Sequence, residues 1–204
     1  MAPKIAIVFY SMYGHIFQLA KAEQEGIKAA GGEATLIAVP ETLDSQALGA
    51  MHAPDLKLKD HGVIVPEATE GKDAFAVLAD LLDGYDGYLF GIPTRFGNFP
   101  AQWKTFWDRT GQKWFQGSYI GKYAGVFVSS SGPGGGQEST AIAALSTLAH
   151  HGIIFVPLGY GEAMPILTDL SEPSTSVRNP SEKELSLAKL QGRKFHQTLT
   201  KVTF

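Results

Sequence analysis

Three short polar stretches hold most of the residues in this chain that could do chemistry. The first, Ser11-Met12-Tyr13-Gly14-His15-Ile16, follows a buried apolar run and opens a helical pattern. Consecutive backbone N–H groups at such a strand-to-helix turn form an anion site, reinforced by the helix dipole. Ser11 adds a hydroxyl donor, and Gly14 lets the backbone close on a phosphate. Neither the nucleotide triphosphate spacing G-x-x-x-x-G-K-[ST] nor G-x-G-x-x-G is present. From these residues alone, an ordinary turn capped by a serine is an equally good reading.

The second stretch is Pro93-Thr94-Arg95-Phe96-Gly97-Asn98. Phe96 could stack beside a ring while the Thr94 and Arg95 backbone bonds to the ring's edge. Taken alone, the signal does not separate such a site from a capped turn with an exposed arginine. The third is Ser130-Ser131-Gly132-Pro133-Gly134-Gly135-Gly136-Gln137. Ordering glycine-rich backbone costs more conformational entropy than ordering other residues. Such a loop makes sense where backbone must lie against a flat heterocycle, and a flexible linker is the alternative. It has no lysine, unlike the loops that carry nucleotide triphosphates.

His150 and His151 adjoin at a helix end. Neighbours in a helix point about 100° apart, so both cannot easily ligate one metal. H-E-x-x-H is absent and no metal site is expected. One histidine is expected to face a ligand and the other to cap the helix C-terminus. Trp103, Phe106, Trp107 and Trp114 form an aromatic group, mostly core or interface. Trp114, outside the helical pattern, is the best candidate to line a pocket for a flat substrate. No G-x-S-x-G elbow supports an esterase.

Composition narrows the chemistry further. The 204 residues include no cysteine, which removes disulfides, thiol nucleophiles, thiolate zinc and iron–sulfur clusters. Redox chemistry is left to a bound organic cofactor. With a net charge of −3 and a pI of about 6.1, neither sign dominates and nucleic acid is not an expected partner. No apolar run approaches the roughly 20 residues of a membrane span. Signal and prenylation patterns are also absent. The cytosol is the expected compartment, with a peripheral position at a membrane left open.

The elements that must position these turns can be read from apolar periodicity. Residues 4–10 and 34–39 read as buried strands, as in a parallel sheet, and residues 87–92, 122–129 and 153–157 as three further strands. Residues 61–65 read as a short edge strand. Ile16, Leu19, Ala20, Ile27 and Ala30 fall at helical spacing, ended by Gly31-Gly32. Phe75, Leu78, Leu82 and Tyr85 mark another helix. A third follows Asn98 as N-cap, with Pro100 in its first turn. Residues 138–151 are a fourth, and Ser181 with Glu184 predicts a capping box for the last. That helix carries Leu185, Ala188, Phe195, Leu199 and Val202 on one stripe. Residues 169–180 are rich in Ser and Pro and read as a surface loop. The alternation predicts one α/β domain over residues 1–204: a flavodoxin-like, doubly wound, five-stranded parallel sheet of order 2-1-3-4-5. Ligands of such sheets sit outside the carboxyl ends of the strands. All three polar turns lie there.

Four motifs together make the sequence similar to a known family. They are Ser11-Met12-Tyr13-Gly14-His15-Ile16, Pro93-Thr94-Arg95-Phe96-Gly97-Asn98, Gly134-Gly135-Gly136-Gln137-Glu138 and Leu148-Ala149-His150-His151-Gly152. In this order they resemble the WrbA family of NAD(P)H:quinone oxidoreductases. The stretch from Gly91-Ile92-Pro93 to Phe106-Trp107-Asp108 resembles its fungal benzoquinone-reductase and minor-allergen branch.

The resemblance implies an FMN enzyme that reduces quinones with NADH or NADPH by ping-pong hydride transfer, in quinone detoxification and oxidative-stress defence. It implies that residues 11–16 hold the FMN phosphate and that residues 93–98 touch the ribityl chain and ring. Ser130, Ser131, Gly132, Pro133, Gly134 and Gly135 would wrap the isoalloxazine, and His150 would reach the flavin as a catalytic proton donor. Tyr13 would contact the nicotinamide nucleotide and Trp114 would line the quinone pocket. A homodimer or homotetramer with sites near subunit interfaces is also implied. The sequence departs from the family over residues 161–180, which are shorter and lack its G-G-x-P-x-G-A and D-G-x-R segments. Only Arg178, Pro180 and Ser181 echo their end. Pro133 stands where the family commonly has Thr or Ser, and it removes one N–H from the loop. Two other functions remain open at this point. One is a flavodoxin-type electron carrier, which is usually far more acidic. The other is a flavin-binding interaction protein with little turnover.

Overall fold

Short β-branched runs pair in the middle of the molecule because both their faces are apolar. In the computed structural model, which describes residues 2–167 and 179–204, five parallel strands form one sheet of order β2-β1-β3-β4-β5. They are β1 Ile5–Phe9, β2 Ala34–Ala38, β3 Gly87–Pro93, β4 Tyr123–Ser129 and β5 Ile154–Phe155. Every residue of β1 and β3 is buried, as central strands covered on both faces require. The observed order matches the sequence expectation.

Helices cover both faces. On one side lie α1 His15–Ala29 and the last helix, α8 Glu182–Leu199. They pack with Ile5, Ile7, Phe9, Phe127, Phe195 and Leu199 into one core. The two helices touch backbone to backbone: a Cβ at Gly26 would strike Lys189, and one at Gly192 would strike Glu23. The predicted capping box at Ser181 and Glu184 starts α8. The opposite face carries α3 Ala74–Leu82, α4 Ala101–Arg109 and α6 Gln137–His150. Its core holds Tyr88, Phe90, Trp103, Phe106 and Trp107. Trp103 is fully buried and its indole N–H donates to Gly91 O at 3.1 Å. Short helices α2 Ser45–Ala50, α5 Gly111–Phe115 and α7 Met164–Leu167 complete the set among the described residues.

Several local expectations need correction. Residues 61–65 form no strand. A 3-10 turn ends at His61, Gly62 is left-handed, and a single parallel bridge joins Ile64 to Ile37. Pro66 follows at once, and its missing N–H cannot extend the pairing. Asn98 does not cap α4. The N-cap is Pro100, and Asn98 Oδ1 instead accepts the Phe99 N–H at 2.8 Å. Trp114 lies inside α5 rather than outside a helix. The loop expected over residues 169–180 falls mostly on residues 168–178, outside the described ones. Among the described residues no helix is long and apolar enough to cross a membrane.

Candidate active site

The three turns singled out in the sequence meet at one end of the sheet. Their approach begins with strand pairing: β1 pairs β3 and β3 pairs β4, so the carboxyl ends of all three lie side by side. A pocket of about 380 Å³ opens above them. Ser11, Met12, Tyr13, His15 and Ile16 form one wall, Pro93, Thr94, Arg95 and Phe96 a second, and Ser129, Ser130, Ser131 and Gly135 a third. Gly14, Gly97, Asn98, Gly132, Pro133 and Gly134 belong to the same turns without lining the pocket itself. Pro133 faces a separate cavity between α1 and α8.

Each wall has a local cause. The α1 helix starts at Gly14, which is left-handed (φ 89°) and offers no side-chain cap. Ser11 Oγ accepts the Phe17 N–H at 3.2 Å, so serine fastens the turn to the third helical residue. The first N–H groups of a helix have no carbonyl partner within it, and here they start beside the pocket. Residues 95–98 form a tight hairpin, with Arg95 N–H donating to Asn98 O at 2.9 Å and Asn98 N–H to Arg95 O at 3.0 Å. Its tip residues, Phe96 and Gly97, both have positive φ. A phenylalanine there is a steric outlier, and its ring is fully exposed at the pocket edge.

The third wall is tied to the second. Thr94 N–H donates to Ser129 O at 2.8 Å, and the Thr94 and Thr140 hydroxyls are 2.6 Å apart. Gly132 O accepts from Gly135 N–H, Ser130 Oγ and Gln137 Nε2, which folds the glycine-rich loop back on itself. Gly136, the uncapped N-cap of α6, has φ 98°. A Cβ on it would lie 2.7 Å from Gly97 Cα, so the two turns are in backbone contact. Two helix N-termini thus flank one pocket: α1 begins in its first wall, and α6 begins just past its third. This donor set suits a phosphate monoester, and the exposed ring of Phe96 suits a flat heterocycle attached to it.

The chain is similar to known proteins. The profile of the family described as NADPH-dependent FMN reductase matches residues 6–162. The chain is 50% identical to the NAD(P)H quinone oxidoreductase PST3 of Candida albicans, over 98% of this chain and all of that one. It is also 50% identical to the minor allergen Alt a 7 of Alternaria alternata, over 98% of each. The chain belongs to this family. Among solved structures, a flavodoxin, WrbA-like protein from Agrobacterium tumefaciens superposes with a TM-score of 0.64 at 23% identity, covering 98% of this chain and 99% of that one. A flavodoxin from the domain Archaea gives 0.57 at 16%, covering 96% and 99%. These two likenesses establish the fold.

Two residues that the family resemblance assigns to the site stand apart from the pocket within one chain. Helix α6 runs away from the pocket for 14 residues, about 21 Å, and His150 is at its far end. Trp114 is there too: its indole N–H donates to His150 O at 2.8 Å, and its ring is 56% exposed. His151 is the structural member of the pair. Its Nδ1–H donates to Thr147 O at 2.9 Å, Nε2 lies 2.8 Å from Thr110 Oγ1, and the ring packs on Trp107. Burial, more than its neighbour His150, holds the His151 pKa below the usual imidazole range, against the bond to Thr147. Tyr13 stays 51% exposed with its hydroxyl donating to Met51 O at 3.1 Å.

The sequence reading overlooked Glu41. Its carboxylate accepts from Tyr10 Oη at 2.7 Å, from the Thr42 and Leu43 N–H groups at 2.8 and 3.0 Å, and from Gln102 Nε2. Burial would raise its pKa, yet these hydrogen bonds together hold it below the usual carboxylate range. The one available signal was an acidic residue just past a buried strand.

Proposed function

We propose that this chain is an FMN-dependent enzyme that reduces quinones with electrons from NADH or NADPH. The observation that carries the reading is the convergence of the three strand-end turns on a single pocket flanked by two helix N-termini that begin at glycine. The relatives named NAD(P)H quinone oxidoreductase and NADPH-dependent FMN reductase carry the same reaction class. Bound FMN would supply hydride acceptance from the nicotinamide nucleotide and two-electron delivery to the quinone.

The chain's residues bind and orient. The backbone of residues 11–16 would hold the phosphate dianion, with the α1 dipole adding attraction. Phe96 and the Thr94 and Arg95 backbone would flank the ring. The loop over residues 129–135 would place N–H groups at the ring's polar edge and stabilise negative charge there, although Pro133 contributes none. Tyr13, exposed and fastened through its hydroxyl, would present a flat face to the nicotinamide nucleotide. We place His150 as proton donor and Trp114 as a wall of the quinone site. Their distance from the pocket of their own chain means that they would serve a neighbouring copy in a homodimer or homotetramer. A cytosolic location is part of this proposal.

The deciding experiment is anaerobic addition of NADH or NADPH to FMN-loaded protein. The expected result is rapid bleaching of the yellow colour, restored by benzoquinone. Protein that is yellow but never bleaches, or that takes up no FMN, refutes the proposal. For His150, loss of quinone turnover or an altered pH profile in His150→Ala is expected, and an unchanged profile removes its role.

A further inference from the structure

Beside the pocket, outside its walls, one carboxylate joins three parts of the fold. Glu41 follows β2; its donors are Tyr10 at the end of β1, Gln102 in the first turn of α4, and the backbone of Thr42 and Leu43. Tyr10 and Gln102 are each only 4% exposed. Tyr10 directly precedes Ser11, where the turn over residues 11–16 begins. Its backbone N–H donates to Gly91 O at 3.2 Å, so Tyr10 is anchored to β3 through its main chain and to Glu41 through its hydroxyl. Glu41 does not line the strand-end pocket, although with Ser11 and Met12 it borders a neighbouring cavity of about 590 Å³.

We infer that Glu41 is a positioning residue for phosphate recognition: by fixing Tyr10 it sets where the turn over residues 11–16 stands. The inference rests on the FMN reading above. Its physical basis is that the donors belong to buried residues while the acceptor is charged. Hydrogen bonds to a charged group are stronger than neutral ones, and a donor left buried without an acceptor is costly. Without the carboxylate, Tyr10 Oη and Gln102 Nε2 lose the acceptor that fixes their positions. Ser11 moves with Tyr10, and with it the serine oxygen that fastens the Phe17 N–H. In Glu41→Gln the amide oxygen can keep the Thr42, Leu43 and Gln102 donors, and the amide nitrogen then faces Tyr10 Oη, so the charge-assisted bond that holds Tyr10 is replaced by a neutral one.

A purely structural role for Glu41 makes a different forecast, which comparison of two ligands separates. FMN and riboflavin share the ring and ribityl chain and differ in the phosphate. General loosening weakens both alike, whereas displacement of the 11–16 turn weakens FMN selectively. The experiment is titration of FMN and of riboflavin into flavin-free wild type, Glu41→Gln and Tyr10→Phe, followed by flavin fluorescence. The wild type is expected to prefer FMN. Glu41→Gln is expected to lower that preference about tenfold, the equivalent of one charge-assisted hydrogen bond. Tyr10→Phe should lower it in the same direction by less, and it decides the matter if Glu41→Gln does not fold. If the wild type holds both flavins equally, the phosphate reading itself fails. If the wild type discriminates and the folded variants keep its full FMN-to-riboflavin ratio, only the role of Glu41 is overturned.

Discussion

The contact between Gly136 and Gly97 can be tested by adding one methyl group. In Gly136→Ala the new side chain must adopt φ 98°, a left-handed conformation that costs an L-residue about 1–2 kcal/mol. It must also sit 2.7 Å from Gly97 Cα and 3.2 Å from Gly97 N, both backbone atoms that cannot swing aside. Overpacking of this kind costs about 1–3 kcal/mol. Destabilisation of about 2–5 kcal/mol is therefore expected, or else a separation of the two turns that moves the Thr94–Thr140 contact. Gly31→Ala is the matched control. Gly31 is also left-handed, at φ 83°, yet a Cβ there meets nothing within 4 Å. It should lose only the conformational part, about 1–2 kcal/mol. Urea unfolding of both variants gives the difference, and fluorescence titration gives FMN affinity. Gly136→Ala should be the less stable by about 1 kcal/mol or more and should bind FMN about tenfold more weakly, with Gly31→Ala near wild type in affinity. Equal stability losses, or full FMN affinity in Gly136→Ala, would refute the idea that this backbone contact sets the pocket.

Further expectations concern the scaffold. Glu23 is wholly buried, both its carboxylate oxygens are without a hydrogen bond among the described residues, and burial raises its pKa well above the usual range. A carboxyl raised in the folded state costs stability as pH climbs above its unfolded value. Glu23→Met should therefore stabilise at pH 7 by about 1–3 kcal/mol, with the gain shrinking toward pH 4, measured by melting temperature across pH. Burial lowers the pKa of both His151 and His196. A histidine depressed in the folded state contributes stability that is present at high pH and lost on acidification below its unfolded value near 6.5. Urea midpoints should fall between about pH 7 and 5, less steeply in His151→Asn. Trp103→Ala should cost about 3–5 kcal/mol, and Ser181→Ala about 1 kcal/mol from the broken capping box.

The sheet order and the three converging turns were legible in the sequence because they depend on local pattern. Apolar runs buried on both faces mark parallel strands, and strand-end turns in such a sheet must share one edge. The errors came where one local signal competed with another. Asn98 looked like an N-cap, but the hairpin over residues 95–98 uses it, leaving Phe99 and Pro100 to lead into α4. At residues 61–65 an apolar pattern was overridden by left-handed Gly62 and by Pro66. Glu41 was invisible because its side-chain partners lie 31 and 61 residues away, and long-range pairing leaves no periodic trace. Glu23 follows Leu19 by one helical turn and so sits on the buried face of α1. Its burial follows from the close approach at Gly26 and Gly192, which only the folded helix pair displays.

Amide hydrogen exchange with and without FMN tests the site most directly. Joint protection of residues 11–16, 94–98 and 130–136 on adding FMN is the predicted result. Protection of only one of these turns, or of none, would contradict the account.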